Sequence, residues 1–461
     1  MATSEVYTPP ALTPLPFMAF NKHQTRALLP PTHAQDEDDY DAAALLAEYG
    51  SPLYVVSEKR LRRDYQAFAC AFSEPFLDTR IAYSVKTNYL PTVCTILREE
   101  GAWMEVVSGM EYELARALGV PAAEIIMNGP HKTREDIERA VGEGALVNID
   151  NFDELSLVES LARGLNRNAR IGIRVSFRYG AASWTKFGFS DDNGDANRAL
   201  KRIAGNRNLS LELLHHHGGT FVLVHDLYAQ AAERLIALAS RARELGLAPT
   251  MIDFGGGFPS QNTLKPEFDL LGGSVRTNNF WFPYAEAILE RLEKAKELFG
   301  GRPTLVLEPG RAVVDACTRL LCTVAAKKRI PDQGEAVIVD AGVNLVPTVC
   351  YYDHTLSLPS DASDGREGRL SPVDVYGPLC MQTDKLRSQA LLPDLKVGDP
   401  LVIGNVGAYC HTQSMQFIQA RPATVLVGSH GAELIRRRET WRDVFTLDRI
   451  PDRLRNEGCT F

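Results

Sequence analysis

Lys86 closes the run Ile81-Ala82-Tyr83-Ser84-Val85-Lys86-Thr87-Asn88, whose apolar start reads as a buried strand. Burial disfavours the charged ammonium, so a lysine in that setting can lose its proton near neutral pH and form Schiff bases. The plainer alternative is a snorkelling side chain whose stem covers apolar surface. Other groups decide between the two. Gly255-Gly256-Gly257 follow Asp253-Phe254, and successive glycines let backbone N–H donors approach an anion. Arg311 ends Glu308-Pro309-Gly310-Arg311 and can add charge-assisted bonds to a phosphate. The glycine run is not G-x-G-x-x-G and no helix follows at once, which disfavours a dinucleotide fingerprint.

His215-His216-His217 precede Gly218-Gly219-Thr220. On a strand, His215 and His217 share one face and His216 points away. No H-E-x-x-H or comparable spacing accompanies them, so no metal is expected. An imidazole laid over a planar cofactor fits the surrounding residues better. An amine nucleophile together with a phosphate cradle suggests pyridoxal phosphate, for which the protein supplies orientation and electronic tuning.

The elements that must position these groups are legible. Between Leu53 and Arg311, apolar runs suited to buried strands end near Val85, Val107, Met127, Ile149, Val175, His217, Phe254 and Glu308. Helical patterns separate most of them, among them 90–100, 133–141, 153–163, 225–245 and 284–298. Fully apolar strands alternating with amphipathic helices imply a parallel sheet covered by helices. Eight such units match the length of an α/β (β/α)8 barrel, with an open doubly wound sheet as the alternative. On the barrel, Lys86, Glu105, Ser108, Asn128, Asp150, His217, Gly255 and Glu308 all fall near C-terminal strand ends, with Arg174 in the fifth strand. That is the face on which barrel enzymes carry catalysis.

After Arg311 the segments 320–326, 336–340, 400–403 and 423–427 are short, β-rich and separated by turns. They predict an all-β second domain, a sandwich or barrel-like unit, with 357–368 as a polar loop and 433–461 as a charged, partly helical tail. The expected domains are an arm over 1–50, part of which could join the β domain, the barrel over 51–315, and the β domain over 316–461. The arm carries many prolines and the acidic run Asp36-Glu37-Asp38-Asp39, with a short helix over 45–50.

The chain has 461 residues, a net charge of −8 and eight cysteines. No basic stretch suggests nucleic acid as a partner. The cysteines form no C-x-x-C pair, so neither a zinc site nor a disulfide framework is indicated, and a reducing cytoplasm is expected. No membrane-length apolar run or secretory signal pattern is present.

Six motifs occur in order: Tyr83-Ser84-Val85-Lys86-Thr87-Asn88, His217-x-Gly219-Thr220, Asp253-Phe254-Gly255-Gly256-Gly257, Glu308-Pro309-Gly310-Arg311, Gly377-Pro378-Leu379-Cys380-x-x-x-Asp384 and Gly407-Ala408-Tyr409. Together, over about residues 50 to 430, they resemble the diaminopimelate/ornithine decarboxylase family of pyridoxal-phosphate enzymes, which have an alanine-racemase-like barrel. The resemblance implies Lys86 as the cofactor anchor, His217 stacked on the ring and Glu308 at the ring nitrogen. It implies Gly255, Gly256, Gly257, Gly219, Thr220, Gly310, Arg311 and Tyr409 around the phosphate, with Glu105, Ser108, Glu111 and Arg174 in support. Cys380 would return a proton after CO2 loss, reaching in from the second subunit of a homodimer. The implied activity is decarboxylation of an amino acid; a racemase is disfavoured by Glu308, because a carboxylate there keeps the ring nitrogen protonated.

The chain departs from the family's best-known members around the substrate. Val346-Pro347 stands where diaminopimelate enzymes carry Arg-Pro, and Met381 replaces the acid that follows the cysteine. Val346, Tyr352, Asp353, Cys380, Met381, Arg311 and Tyr409 are the expected substrate contacts. Tyr351-Tyr352-Asp353-His354 is similar to the ornithine-type Tyr-Asp-His, so Asp353 could partly compensate. Losing both charged partners predicts a specialised substrate with a neutral or tethered distal group, such as a carrier-protein-bound amino acid. Diaminopimelate decarboxylation with other distal contacts is the alternative. A non-catalytic regulator resembling antizyme inhibitors is a further one, disfavoured because Lys86, Glu308, Arg311 and Cys380 all remain.

Overall fold

The computed structural model describes residues 40–179, 186–260, 262–265, 280–331, 334–359 and 370–455. Most of the expected N-terminal arm therefore lies outside the described residues. So does most of the expected polar loop at 357–368.

Eight parallel strands close into a barrel: Asp78–Ser84, Trp103–Val106, Ile125–Met127, Leu146–Ile149, Ala169–Ser176, Leu209–His215, Met251–Asp253 and Thr304–Leu307. Each pairs with the next, and the eighth pairs with the first. The strands are short and mostly buried on both faces, as a helix-covered parallel sheet requires. The helices turn apolar faces inward. Phe68, Leu97, Ile137, Val158, Leu235 and Ile288 are each buried in one continuous core around the barrel. Helices Pro91–Glu99, Arg134–Glu143, Phe152–Gly164, Asp226–Glu244 and Phe282–Ala295 fall on the five expected patterns, joined by Glu58–Ala71, Gly109–Ala117 and Asp195–Ala204. Side-chain caps fix several helix starts just after the C-terminal strand ends: Ser108, Thr133 and Asn151 each accept a backbone N–H of the first turn, satisfying donors the helix leaves open.

The second domain is a mixed sheet in which Thr318–Ile330 forms the long central strand. Gly334–Val339, Ser371–Tyr376 and Lys385–Leu392 follow it in one direction, Ala423–Gly428 and Gly431–Arg436 are joined to it through Leu53–Ser57, and Pro400–Ile403 pairs with it on the side opposite Leu53–Ser57. Residues 53–57, expected in the barrel domain, belong here instead. Leu53–Ser57 lies between Thr318–Ile330 and Ala423–Gly428. Leu53 and Val55 share a core with Ala42 and Leu45 of the preceding helix Ala42–Tyr49. The apolar run alone did not tell which sheet it would join. The tail is helical in part, as expected: the strand Gly431–Arg436 runs into its start, and the short helix Trp441–Phe445 and a 3-10 turn over Asp452–Leu454 follow. Among the described residues, no helix is long and apolar enough to cross a membrane.

Candidate active site

Lys86 sits in a short turn, Val85–Thr87, directly after the first barrel strand. Its Nζ donates to Ser84 Oγ at 2.7 Å and to Glu105 Oε2 at 2.6 Å. Glu105 is 1 % exposed, whereas the lysine side chain keeps 39 % of its surface open. Burial pulls the ammonium's pKa down, but Glu105 and other nearby groups outweigh it, and the net shift is upward. The expectation of a lysine deprotonated near neutral pH is therefore corrected: without the cofactor, the Glu105 carboxylate holds the proton on Lys86.

From Lys86 a buried polar floor crosses the barrel. Asn128 Nδ2 donates to Glu105 Oε1 at 3.1 Å and to Glu308 Oε1 at 2.6 Å. Asn148 Nδ2 donates to Asn128 Oδ1 at 2.8 Å and lies 2.6 Å from His215 Nδ1. With Nδ1 accepting, a hydrogen sits on Nε2, which faces Glu308 Oε2 at 3.5 Å. A ring nitrogen of His215 and a carboxylate oxygen from each of Asp253 and Glu308, all three residues buried, lie within 4.8 Å of one another. Burial opposes the charge on Glu308, yet His215, a hydrogen bond with Asp253 and Lys86 together hold its carboxyl well below the usual range. Asp253 moves the other way, pushed well above that range first by burial and then by Glu308.

His217 borders the glycine turn, where Gly256 N donates to His217 Nδ1 at 3.0 Å. Burial, before any neighbouring charge, holds the ring neutral by pushing its pKa well down. The glycines are required here. Gly255 and Gly257 have φ of 62° and 88°, and a Cβ on Gly256 would stand 2.6 Å from the Glu308 carbonyl oxygen. A Cβ on Gly257 would come equally close to Gly219 O, and one on Gly310 would overlap the Thr87 side chain. Arg311 is buried, and its Nη1 has no hydrogen-bond partner among the described residues. Its guanidinium lies 4.9 to 5.6 Å from the ring centres of Tyr352, Tyr409 and Phe221. A buried cation with an unused donor needs an anion. A glycine turn that leaves room for one, the Arg311 donor and the Lys86 amine together fit pyridoxal phosphate.

Tyr409, at φ 64°, comes from the second domain. Its N–H donates to Thr87 O at 2.9 Å, one residue beyond Lys86. Asp315 ties the same region together, though sequence reasoning did not single it out. Its carboxylate accepts from Ser260 Oγ in a short hydrogen bond, from Asn262 Nδ2 at 2.9 Å and from Ala408 N at 3.3 Å. Burial raises its pKa to about 6 against the lowering effect of Arg311. The available signal was its spacing of four residues from Arg311, one helical turn. In the sequence, Asn128 stands out only as a strand-end residue and Asp253 only as the start of the glycine motif, and nothing there points to Asn148.

The remaining expected residues separate. Arg174 stacks on Phe187 at 4.2 Å and lines a small cavity with His216, His217 and Gly218. Thr220 is exposed. Ser108 caps a helix and Glu111 accepts from Val107 N at 2.8 Å, its pKa raised to about 7 mainly by burial. Tyr352 packs 5.3 Å from Phe221 beside Arg311, while Asp353 lies 3.8 Å from Arg387. Val346 does not offer its side chain to a substrate: it is completely buried in the β-domain core with Tyr54, Leu320 and Val339, where an aliphatic side chain fills space and an arginine would be unpaired. Cys380 and Met381 are exposed on the chain's surface, their turn pinned by Leu379 N donating to Asp384 Oδ2 at 2.7 Å.

Residues 58–315 match the family described as pyridoxal-dependent decarboxylase, pyridoxal binding domain. The chain belongs to this family. It is 32 % identical over 417 residues to a diaminopimelate decarboxylase of Actinosynnema pretiosum, covering 87 % of this chain and 90 % of that one. It is 28 % identical to the enzyme of the same name from Bacillus subtilis, covering 88 % and 93 %. The crystal structure of diaminopimelate decarboxylase from Methanocaldococcus jannaschii superposes with a TM-score of 0.81 at 27 % identity, over 90 % of this chain and 96 % of that one. The protein is a pyridoxal-phosphate-dependent carboxy-lyase that acts on an amino acid.

Proposed function

We propose that this decarboxylase acts on a diamino dicarboxylic acid of the meso-diaminopimelate type and releases its α-carboxylate as CO2. Near-full-length similarity to enzymes of that name carries the reading, and the unused buried donor of Arg311 supports an anionic ligand. Pyridoxal phosphate, when bound, supplies a carbonyl that condenses with amines and a ring that accepts the electrons released at Cα. Lys86 would hold it through its side-chain amine, which Ser84 and Glu105 orient. Glu308 stays ionised at the ring nitrogen and holds a proton there. His217, kept neutral, covers one ring face, and Arg311 with the N–H groups of the Gly255 turn balances the phosphate charge. Cys380 belongs to the site of a second copy in a homodimer, where its Sγ–H returns the proton to Cα.

Purified protein given free meso-diaminopimelate should release CO2 and form lysine. No turnover of that compound, with turnover of a monoamino or carrier-linked amino acid, would reverse the substrate assignment in favour of the specialised reading. The apolar Met381 and the buried Val346 favour that second reading, because neither pairs with a distal charge. For the dimer, mixing Lys86→Ala with Cys380→Ala protein should restore about a quarter of the sites after subunit exchange. No recovery places each site within one chain.

A further inference from the structure

The Asp253 and Glu308 carboxylates approach each other in a pocket where both residues are buried. One oxygen of Asp253 is accounted for, since Gly255 N donates to Oδ1 at 2.7 Å. The other, Oδ2, is fully buried and receives no hydrogen bond from a described residue. The groups facing this pair are known. Lys86 Nζ is engaged by Ser84 and Glu105, His215 turns its Nε2 toward Glu308, and Asn128 donates to Glu308 Oε1. Arg174 is near enough to feel the charges of both Asp253 and Glu308. Two carboxylates this close in a buried site share a proton, because ionising both is too costly. Glu308 has donors directed at it and Asp253 Oδ2 has none, so the geometry assigns the proton to Asp253.

We propose that Asp253 is carried as a neutral carboxylic acid whose O–H points at Glu308, making it a positioning residue that leaves Glu308 as the single negative charge at the cofactor ring nitrogen. The inference rests on the reading of Glu308 as the ring-nitrogen partner.

Infrared spectroscopy of the holoenzyme grown on isotope-labelled aspartate tests this. A buried protonated carboxyl C=O stretch should be present at neutral and mildly alkaline pH, shift with the label, and vanish in Asp253→Asn. Asparagine keeps an N–H donor at that place, so Asp253→Asn should retain the visible cofactor band and activity within about tenfold, whereas Asp253→Leu should lose about a hundredfold or more. Absence of the labelled band in wild-type protein, or equal losses in the two variants, overturns the proposal; the wild-type spectrum decides even if a variant fails to fold. Glu308→Gln separates this inference from the reading beneath it. If Glu308 meets the ring nitrogen, that substitution alters the cofactor spectrum. If only the shared proton is right, the Asp253 band titrates at lower pH while the cofactor spectrum stays unchanged.

Discussion

The floor of the barrel and the surface turn of the second domain solve opposite problems. On the floor, Lys86, Glu105, Asn128, Glu308 and Asn148 are joined by hydrogen bonds of 2.6 to 3.1 Å, drawn from successive strands of a closed sheet. At the turn, Cys380 and Met381 face outward, and Val346 has withdrawn into its own core. The cofactor end is preorganised within a single chain, where buried polar groups need satisfied partners and reward rigidity. The surface turn, which the proposed function gives to the substrate, is exposed in the chain, and a change there leaves the hydrogen bonds of the floor in place.

This contrast can be broken or sharpened by measurement, beginning with the largest effect. Lys86→Ala should abolish the visible Schiff-base absorbance and lower kcat on the order of 10³-fold or more. Turnover near wild type would show that the floor does not carry the reaction. Glu308→Gln should cost about a hundredfold in kcat with little change in KM, since it acts on charge that develops after binding; an effect confined to KM would move Glu308 to the substrate end.

Acid should undo the buried histidines on both sides of the contrast. Burial holds His216 at about 3 and His354 and His411 at about 4, against an ordinary value of 6.5. Between those values and 6.5 the unfolded chain binds protons that the folded chain refuses. Stability is therefore intact above pH 6.5 and falls as the pH drops toward 4, by up to a few kcal/mol per residue. Denaturation midpoints that stay constant across that window would contradict the neutral assignments. Asp315→Ala should weaken cofactor retention about tenfold by releasing Ser260, Asn262 and Ala408, read by equilibrium titration of apoenzyme; unchanged affinity would separate Asp315 from the cradle. The smallest effect is expected at the surface turn. Met381→Glu should alter relative kcat/KM toward substrates with a distal ammonium by less than about tenfold, as befits an exposed pair. A larger loss of all activity would put Met381 among the groups the chemistry needs.

Much of the floor was legible in the sequence because a closed parallel barrel turns strand ends into a list of site positions. Lys86, His217, Gly255 and Glu308 could be placed from periodicity and resemblance alone. What escaped was set by tertiary contact. Whether Val55 joins the barrel or the second sheet depends on a parallel pairing with Val425, nearly the whole chain away. The charge state of Lys86 depends on Glu105 from the adjacent strand, which no local apolar run reveals. Asp315 looks like an ordinary residue of a short helix until Ser260, Asn262 and Ala408 converge on it from other segments.

Gly407 has a consequence for how the protein comes apart. A side chain there would overlap the Val314 carbonyl, while Gly407 N donates to Asp315 O at 3.0 Å and Tyr409 N to Thr87 O at 2.9 Å. The loop that bears Tyr409 is thus seated directly on the backbone that carries Arg311 and Lys86. Any ligand that binds this seam only when it is closed must shift the unfolding equilibrium of both halves by mass action. Saturating pyridoxal phosphate should therefore merge the melting of barrel and β domain into one cooperative transition at higher temperature, making the cofactor a thermodynamic clasp between domains as well as a reagent.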